Sequence, residues 1–467
     1  MFPELFKKSS DLSYIEKDVE ASSLRKIHET QKALNISIKE GTYSNISANI
    51  GGSFITPFAL ALGSSAFQIG LLTSLSSLAR PLSQLFGSEL LEKKSRKKIV
   101  LTYVLLEAIV WLPILALSYL FIKGILITSI PYLLIALYTI LAIFGGISYP
   151  AWFSWMGDIV PEKDRGKYFG IRTKVTGFIA LTATIIAAFF LDYFKTNGLA
   201  LLGFSILFAL TFTFRFIAFL LFKKQYSPKF KQEKTKDYSF LSFLLNKENY
   251  TKFTIYQFMF HFALMIASPF FAVYMLESLK FSYTTFIIVS LSSSIFYLAL
   301  SPLMGKFADR FGNISLLYIS TILFASYPLF WIFLKSPLLL IALPQLISGV
   351  ANAAFLITFT KFTYDSLPTQ KRALGITYTN ILIGLGMFFG SLLGSLLIKY
   401  LPIFVSLNVF FLVFAISSLL RLILPLSILT KIKETNKTEK LPPMHLEFSH
   451  PLRTIQSEIS WFKRITR

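Results

Sequence analysis

Long apolar runs alternate with short polar segments along almost the whole chain. Each run approaches or exceeds the about 20 residues that a helix needs to cross a bilayer. None alternates apolar and polar positions with a period of two residues, so the pattern favours helices over the strands of a membrane barrel. The predicted spans are 42–62, 67–90, 98–121, 127–155, 173–193, 199–222, 252–276, 281–303, 313–335, 338–360, 375–399 and 403–428. The predicted fold class is therefore an all-α membrane protein with twelve transmembrane helices.

The polar segments divide these spans into two sets of six. The longest segment between spans, 223–251, is rich in lysine and predicts a cytoplasmic linker between spans six and seven. The predicted organisation is a cytoplasmic, partly helical N-terminal arm (1–41), a first six-helix half (42–222), the linker (223–251), a second six-helix half (252–430) and a cytoplasmic tail (431–467).

Two short charged motifs occur once in each half. Asp-x-x-Pro-x-x-x-Arg stands at 158–165 and again at 365–372, in both places after a long apolar run. The segment 305–312, Gly-Lys-Phe-Ala-Asp-Arg-Phe-Gly, has a weaker counterpart at 92–97. The chain therefore reads as two related halves in tandem. Secondary transporters are often built in this way, with the substrate path between the halves.

The charge balance is strongly basic, but its placement indicates a membrane and not a nucleic acid. The formal net charge is +22, while 54% of the residues are hydrophobic and only 15% are charged, against about 25% charged in soluble domains. Most of the Lys and Arg residues lie in the N-terminal segment, the C-terminal tail and alternate loops. The other loops hold only Lys123, Lys195, Lys280, Lys335 and Lys399. This positive-inside pattern predicts cytoplasmic termini, and the basic loops face anionic lipid headgroups.

The composition offers no catalytic or metal-binding pattern. The absence of cysteine excludes disulfides, thiolate chemistry and cysteine-built metal sites. The four histidines lack the spacing of a metal motif, and no nucleophile–base pair or phosphate-binding loop is present. We expect no metal, no cofactor, no catalytic residue and no enzymatic activity.

Together the twelve spans, the duplication and the basic loops resemble the major facilitator superfamily. The family's signature after spans two and eight is Gly-x-x-x-Asp-Arg-x-Gly followed by two basic residues. The second copy here matches at Gly305, Asp309, Arg310 and Gly312 and departs at Asn313. The first copy is degraded, and its signature positions hold Ser88, Glu92, Lys93 and Ser95, followed by Arg96 and Lys97.

The resemblance implies an electrostatic gate at the cytoplasmic side. The acid of the signature would face a helix N-terminus of the other half, and the adjacent bases would pair with Asp158 or Asp365 at the end of span four or ten. Such a cluster would close the inner gate in the outward-open state and separate in the inward-open state. The alternative is a set of solvated charges that only fix the topology. The predicted inner-gate residues are Glu92, Lys93, Arg96, Asp158, Arg165, Asp309, Arg310, Asp365 and Arg372.

Charged and polar residues inside spans are costly and point to function by default. Arg80 and Glu107 have similar depths in spans two and three and are predicted to pair, either as a structural lock or with Arg80 as an anchor for an anionic group or Glu107 as a proton carrier. His261 is a candidate for a coupling proton or a satisfied helix residue. The candidate substrate or coupling-ion residues are Asn45, Asn49, Arg80, Glu107, Gln257, His261, Gln345 and Asn380.

Two further patterns predict structural roles. Arg215 and Arg421 occupy corresponding places near the inner ends of spans six and twelve, which predicts snorkelling to the interface. Gly386, Gly390 and Gly394 share one face of span eleven, which predicts close helix packing.

What the resemblance implies is a secondary active transporter that moves a small solute across the cell membrane by alternating access. We expect a monomer that binds a small-molecule substrate in the lipid bilayer, with a proton or a sodium ion as the coupling ion and no nucleic-acid partner. A proton-coupled drug or metabolite exporter and a non-transporting nutrient receptor of the same fold remain alternatives.

Overall fold

A computed structural model describes the backbone of residues 7–161, 165–228, 240–245, 248–367, 369–401, 408–434 and 439. Side chains are described from residue 29 onward in these ranges, except those of Glu92 and of 369–374. The helices of the first half are α1 Lys7–Ala61, α2 Ala66–Lys93, α3 Arg96–Ile122, α4 Ile130–Ile159, α5 Arg165–Thr196 and α6 Ala200–Lys224. After the short α7, Phe240–Leu245, the second half contains α8 Asn249–Met265, α9 Ser268–Val273, α10 Tyr283–Phe311, α11 Asn313–Phe333, α12 Pro337–Leu340, α13 Leu346–Ser366, α14 Thr369–Tyr400 and α15 Val409–Leu429.

These helices form the twelve predicted spans, and the all-α fold class is confirmed. Two spans are interrupted where a single helix was predicted. The span 249–278 breaks between α8 and α9, and the span 337–366 contains a π-helical turn, Ile341–Gln345, between α12 and α13. Pro269 and Pro344 lie at these interruptions. Proline lacks the N–H that would continue the backbone hydrogen bonds of the helix, which explains why the helices are interrupted there.

Within the described residues, ten helical segments are long and apolar enough to cross a membrane. The remaining two spans, α1 and α2, are less apolar because they carry many Ser, Asn, Gly and Gln residues. Polar helices of this kind are compatible with a membrane only where they face a cavity or other helices. The sequence composition of α1 and α2 therefore already indicates that they line the interior.

The last turns before the first span belong to the packed bundle. Over the described part, the predicted arm and the first span form one continuous helix, α1. Ala33 packs in an apolar cluster with Val100, Trp155 and Phe222, from α3, α4 and α6. Glu40 is only 1% exposed. Residues 33–40 are therefore held by tertiary contacts and not by helix propensity alone.

The hydrophobic core is continuous between the halves at one end of the bundle. The largest cluster contains residues of both halves, including Phe58, Leu72, Phe270 and Tyr283. The cluster around Trp155 contains residues of the first half alone. We call the end with the α2–α3 turn and the C-terminal ends of α6 and α15 the basic end. The end with the turns at 62–65, 197–199 and 279–282 is the weakly charged end.

The glycine face of α14 packs directly on α8, as predicted. A Cβ on Gly386 would lie 2.5 Å from the carbonyl oxygen of Phe258, and a Cβ on Gly390 would lie 2.9 Å from the carbonyl carbon of Phe262. Gly394 meets the backbone of Ile266 in the same way. Only residues without a side chain permit this backbone approach.

The snorkelling prediction for Arg421 is wrong. Arg421 is fully buried and donates hydrogen bonds to the carbonyl oxygens of Phe324 at 3.0 Å and Leu264 at 2.9 Å. The Phe324 carbonyl has no backbone partner in its own helix because the residue four positions later is Pro328. The Leu264 carbonyl lies at the end of α8, where it also accepts from the Ser268 hydroxyl. Arg421 therefore supplies hydrogen-bond donors to carbonyl groups that lack a backbone donor in two other helices. The hydropathy of a span does not show that such donors are needed.

We predict opposite effects for two Gly→Ala substitutions. Gly390→Ala adds a methyl group against the backbone of Phe262 and should lower the free energy of unfolding by about 1–3 kcal/mol, the usual cost of overpacking. The matched control is Gly170→Ala in α5, where a Cβ meets nothing within 4 Å. Since alanine favours a helix over glycine, the control should leave the melting temperature unchanged or raise it. Equal melting temperatures of the two variants in detergent would contradict the packing.

Candidate functional site

Two cavities meet at Arg80. The first, of about 360 Å³, lies inside the first half between α1 and α6. The second, of about 510 Å³, lies between the halves, where α2 and α4 face α14. Arg80, Tyr138, Leu141 and Tyr149 line both cavities. The polar interior of the first half is thus continuous with the space between the halves.

An ion pair between α1 and α5 forms one wall of the first cavity. Nη2 of Arg172 lies 2.9 Å from Oε1 of Glu40, and both side chains are largely buried. Nε of Arg172 also donates to the backbone oxygen of Ser37 at 3.3 Å, and the guanidinium stacks on the Trp152 ring at 4.9 Å. These contacts satisfy two charges whose burial without partners would be expensive.

A second ion pair joins α3 to α6. Arg215 is bonded to the Glu107 carboxylate and donates a hydrogen bond to Ser44 of α1 at 3.0 Å. Ser44 lies in turn 3.5 Å from Oε2 of Glu40. The snorkelling prediction for Arg215 is wrong because Glu107 and Ser44 hold the guanidinium inside the bundle. The sequence predicts Arg80 as the partner of Glu107, whereas the salt-bridge partner in the structure is Arg215.

Arg80 lies beside this network without joining it. A Cβ on Gly145 would lie 2.6 Å from Oε1 of Glu107 and 3.4 Å from Nη1 of Arg80, so both groups approach the same small residue of α4. Arg80 nevertheless has no salt bridge with any described residue, and its side chain is exposed to the cavities. The depth match between Arg80 and Glu107 is therefore correct, while the pairing is not.

The charges lining the first cavity do not balance. Three arginines (Arg80, Arg172 and Arg215) face two glutamates (Glu40 and Glu107) there. The two glutamates are each taken by one arginine. Among the described lining residues, the positive charge of Arg80 is therefore left without a carboxylate partner.

The predicted asparagines divide between the cavities and the helix backbone. Asn45 lines the first cavity and donates from Nδ2 to Thr176 Oγ1 at 2.9 Å, which links α1 to α5. Asn380 lines the second cavity with Arg80. Asn49 donates to the backbone oxygen of Asn45 one turn earlier and lines neither cavity.

Three candidates of the second half, Gln257, His261 and Gln345, lie apart from both cavities. Gln257 is fully buried, and its amide has no hydrogen-bond partner among the described residues. His261 Nδ1 is 2.8 Å from the Gln257 backbone oxygen, and its ring contacts Phe260 and Phe355 edge-on. Gln345 lies in the π-helical turn. The structure thus brings together Asn45, Arg80, Glu107 and Asn380 but not these three residues.

The described ion pairs at the basic end include one between α3 and α4 of the first half. Arg96 lies 2.6 Å from Asp158, which is the pairing that the signature implies for the first half. Arg165 donates to the Gly157 carbonyl at 2.8 Å, and Lys93 is exposed.

In the second half, Asp309 pairs with Lys361 of α13. Arg310 lies 2.7 Å from Glu439 of the tail, and Asp365 is 3.4 Å from Asn313. The side chains of Glu92 and Arg372 lie outside the described residues.

Sequence reasoning missed Glu40, Arg172 and Tyr138 as cavity residues. Glu40 falls in the predicted arm and Arg172 in the loop before span five, since each lies just outside an apolar run. The sequence signal that could have found them was an acidic residue and a basic residue, Glu40 and Arg172, each directly before a predicted span. In the described part of the chain, no group of His, Asp and Glu is arranged to hold a metal ion.

Twelve spanning helices in two halves around a polar cavity define a membrane protein of the secondary transporter class. The chain belongs to the Major Facilitator Superfamily, whose sequence profile matches residues 42–250 and 253–459. The predicted resemblance is confirmed. No curated protein sequence matches the chain.

Several solved structures share this fold at low sequence identity. A mutant of the nucleoside transporter NupG has a TM-score of 0.64 and 16% identity, over 85% of this chain and 100% of that one. A bacterial homologue of the human lysosomal transporter Spinster, described as inward-facing and occupied, has a TM-score of 0.62 and 14% identity, over 86% and 97%. A POT family transporter in complex with 5-aminolevulinic acid has a TM-score of 0.64 and 15% identity, over 86% and 96%.

We predict that Glu107 and Arg215 are energetically coupled. Removing one partner, as Glu107→Leu or Arg215→Leu, leaves a buried charge and should cost about 3–5 kcal/mol of stability. The double variant removes both charges and should recover much of this loss. The measurement is a double-mutant cycle on thermal unfolding in detergent.

The matched cycle combines Glu107→Leu with Arg80→Leu. This pair should show the weaker coupling because Arg80 has no salt bridge to Glu107. Stronger rescue by Arg80→Leu than by Arg215→Leu would restore the pairing that the sequence suggests.

Proposed function

We propose that the chain carries a small solute through the space between its halves and that this structure is the inward-open state. The protein would lie in the cell membrane as a monomer with both termini in the cytoplasm, so the basic end is the inner end. The observation that carries the proposal is the difference between the two ends. The halves are bonded to each other at the weakly charged end, while the described ion pairs at the basic end form within single halves.

Close contacts between α2 and α14 join the halves toward the weakly charged end. Ser391 donates a hydrogen bond to the backbone oxygen of Gly70 at 2.7 Å, and Ser74 donates to that of Phe388 at 2.8 Å. A Cβ on Gly70 would lie 2.8 Å from the Phe270 ring of α9. Contacts this close leave no room for water between the two helices at these residues, which supports a closed outer end.

An acid-to-helix contact supports the same closure between α5 and α10. The Asp192 carboxylate accepts hydrogen bonds from the backbone N–H groups of Tyr283 at 2.7 Å and Thr284 at 2.8 Å, at the N-terminus of α10. Ser282 caps the next free N–H, that of Thr285. The negative charge meets the positive end of the helix dipole, across the boundary between the halves.

At the basic end, two described ion pairs of predicted gate residues support an open gate. Arg96–Asp158 stays in the first half, while Asp309–Lys361 stays in the second. We propose that the inner-gate residues exchange these partners for contacts across the halves when the basic end closes. The polar residues of the second half, Gln257, His261 and Gln345, are candidates for a coupling ion, either a proton or sodium.

The similar structures support a small organic solute as the cargo. One is described as a nucleoside transporter and another as a POT family transporter in complex with 5-aminolevulinic acid. At identities of 14–16% this likeness concerns the fold, and the solute of this chain follows from its own cavity. A nutrient receptor would bind that solute without moving it.

We predict flux of the solute that the purified protein binds. Glucose, leucine, benzoate and tetraphenylphosphonium represent sugars, amino acids, organic anions and hydrophobic cations in a thermal-shift screen. The compound that raises the melting temperature most should enter proteoliposomes faster than empty liposomes. Binding that is accompanied by no flux would favour the receptor.

We predict that Asp192→Ala shifts the population toward the outward-open state. An acid at a helix N-terminus contributes up to about 2 kcal/mol, so the equilibrium should move by up to roughly 30-fold. The reporter is Ser74→Cys, which is buried beneath the α2–α14 contact of a chain without native cysteine. Its reaction with an impermeant thiol reagent from outside should accelerate in Asp192→Ala.

The matched control is Asn197→Ala, just beyond α5 at the same end. Asn197 donates to the backbone oxygen of Tyr193 and makes no contact of the kind that Asp192 makes with α10. Its removal should leave the labelling rate unchanged. Equal labelling rates in the two variants would contradict the role of the Asp192 contact in closing the outer end. Labelling of the Ser74→Cys thiol from the cytoplasmic side alone would contradict the proposed orientation.

A further inference from the structure

We propose that Arg80 is the anion-binding residue of the transport cavity and that the solute is a small molecule with one anionic group on an apolar body. The inference rests on the proposed transport function, because it assigns the solute class of that same cavity. Its first support is the difference between Arg80 and the other cavity arginines. Arg172 and Arg215 each hold a carboxylate, and Arg80 holds none among the described residues.

Glu107 lies between two arginines and cannot neutralise both. Its Oε2 is bonded to Arg215, which also binds Ser44. The Arg80 guanidinium lies beside Gly145, as does Oε1 of Glu107, but it forms no salt bridge there and is exposed to both cavities. Arg80 is exposed in this structure, so its charge becomes costly when the cavity closes around it inside the membrane. A bound carboxylate or phosphate would offset that cost, and the planar guanidinium matches either group with two parallel hydrogen bonds.

The second cavity indicates what the rest of the solute contacts. Arg80 is the one charged residue among its described lining residues. Gln84 and Asn380 supply amides, whereas Tyr138, Tyr149, Leu141, Ile383 and Met387 supply apolar or aromatic surface. Pockets of this volume, largely apolar with a few placed polar groups, bind small organic molecules. The combination fits an amphipathic anion better than a sugar or a cation.

The position of Arg80 connects this binding to the contact between the halves. The next residue, Pro81, packs against Gly384 of α14, and the backbone oxygen of Ser77 would be 3.2 Å from a Cβ there. Arg80 therefore lies directly beside the crossing of α2 and α14. A solute held by Arg80 also contacts the half that must move, through Asn380.

The test uses charged thiol reagents, which report the cavity potential without knowledge of the solute. Asn380→Cys places a single thiol beside Arg80 in a chain without cysteine. The two reagents are the anionic 2-sulfonatoethyl methanethiosulfonate and its cationic 2-(trimethylammonium)ethyl counterpart. We expect the ratio of the anionic to the cationic labelling rate to be higher at this cavity thiol than at a control thiol. The control thiol is that of Thr430→Cys, exposed at the end of α15. Arg80→Gln should lower the anion-to-cation rate ratio at the cavity thiol at least several-fold and leave the ratio at the control thiol unchanged.

The second measurement is protection of the cavity thiol by benzoate, phenylphosphonate, benzamide or benzylamine. These four molecules share one ring and differ in the charged group. Benzoate or phenylphosphonate should slow labelling in the presence of Arg80 and not in Arg80→Gln, and the better protector distinguishes a carboxylate from a phosphate-like group. A rate ratio that does not depend on Arg80 would overturn the proposal, as would equal protection by benzamide and both anions.

Both measurements are made from the cytoplasmic side and need no turnover. They can fail while the Ser74→Cys labelling result and the flux assay stand, which would leave a transporter of a neutral or cationic solute. They can also succeed in a protein that shows no flux, which would leave an anion-binding receptor.

Discussion

The cost of charge inside a membrane is the constraint on which the first half depends. Five charged side chains line its interior cavity, and helix pairs α1–α5 and α3–α6 are held together by the need to satisfy four of them. Removing one partner of such a pair is expensive, while the net contribution of the intact pair is small. The pairs therefore fix which helices are neighbours more than they add stability. The fifth charged side chain, that of Arg80, has no such partner among the described residues and faces the space between the halves.

Each half buries an arginine in its last span, and the two halves satisfy that charge with different groups. Arg215 and Arg421 occupy corresponding places in spans six and twelve, and both reach the first and third spans of their own half. Arg215 binds Ser44 and Glu107 there. Arg421 binds the Leu264 and Phe324 carbonyls, which become available where α8 ends and where a proline interrupts the ladder of α11. The two arginines therefore occupy duplicated positions but have different partners. Backbone carbonyl groups bind Arg421 in the second half, whereas a carboxylate and a hydroxyl group bind Arg215 in the first.

The sequence predicted the fold well because span length and charge placement are local properties. The twelve spans and the glycine face of α14 follow from short windows of sequence. The Arg96–Asp158 pair is what the resemblance to the family signature implies. The cavity was predicted less well because a pair such as Arg172–Glu40 joins residues far apart in sequence. Depth matching brought Glu107 near Arg80 but could not choose between Arg80 and Arg215. The choice depends on side-chain direction, which hydropathy does not contain.

For a solute to shift the populations of the two end states, it must bind one of them more tightly than the other. A ligand that binds both states equally shifts nothing, however tightly it binds. Arg80 satisfies this requirement by position, because its neighbour Pro81 packs on Gly384 of the opposite half. An anion there would lower the cost of enclosing this charge when the halves close around it. The cost of an unpaired charge, which pairs the other four charged side chains, thus makes Arg80 sensitive to the solute. Arg421 of the second half is fully buried. The described residues of that half that line the two cavities include no equivalent unpaired charge.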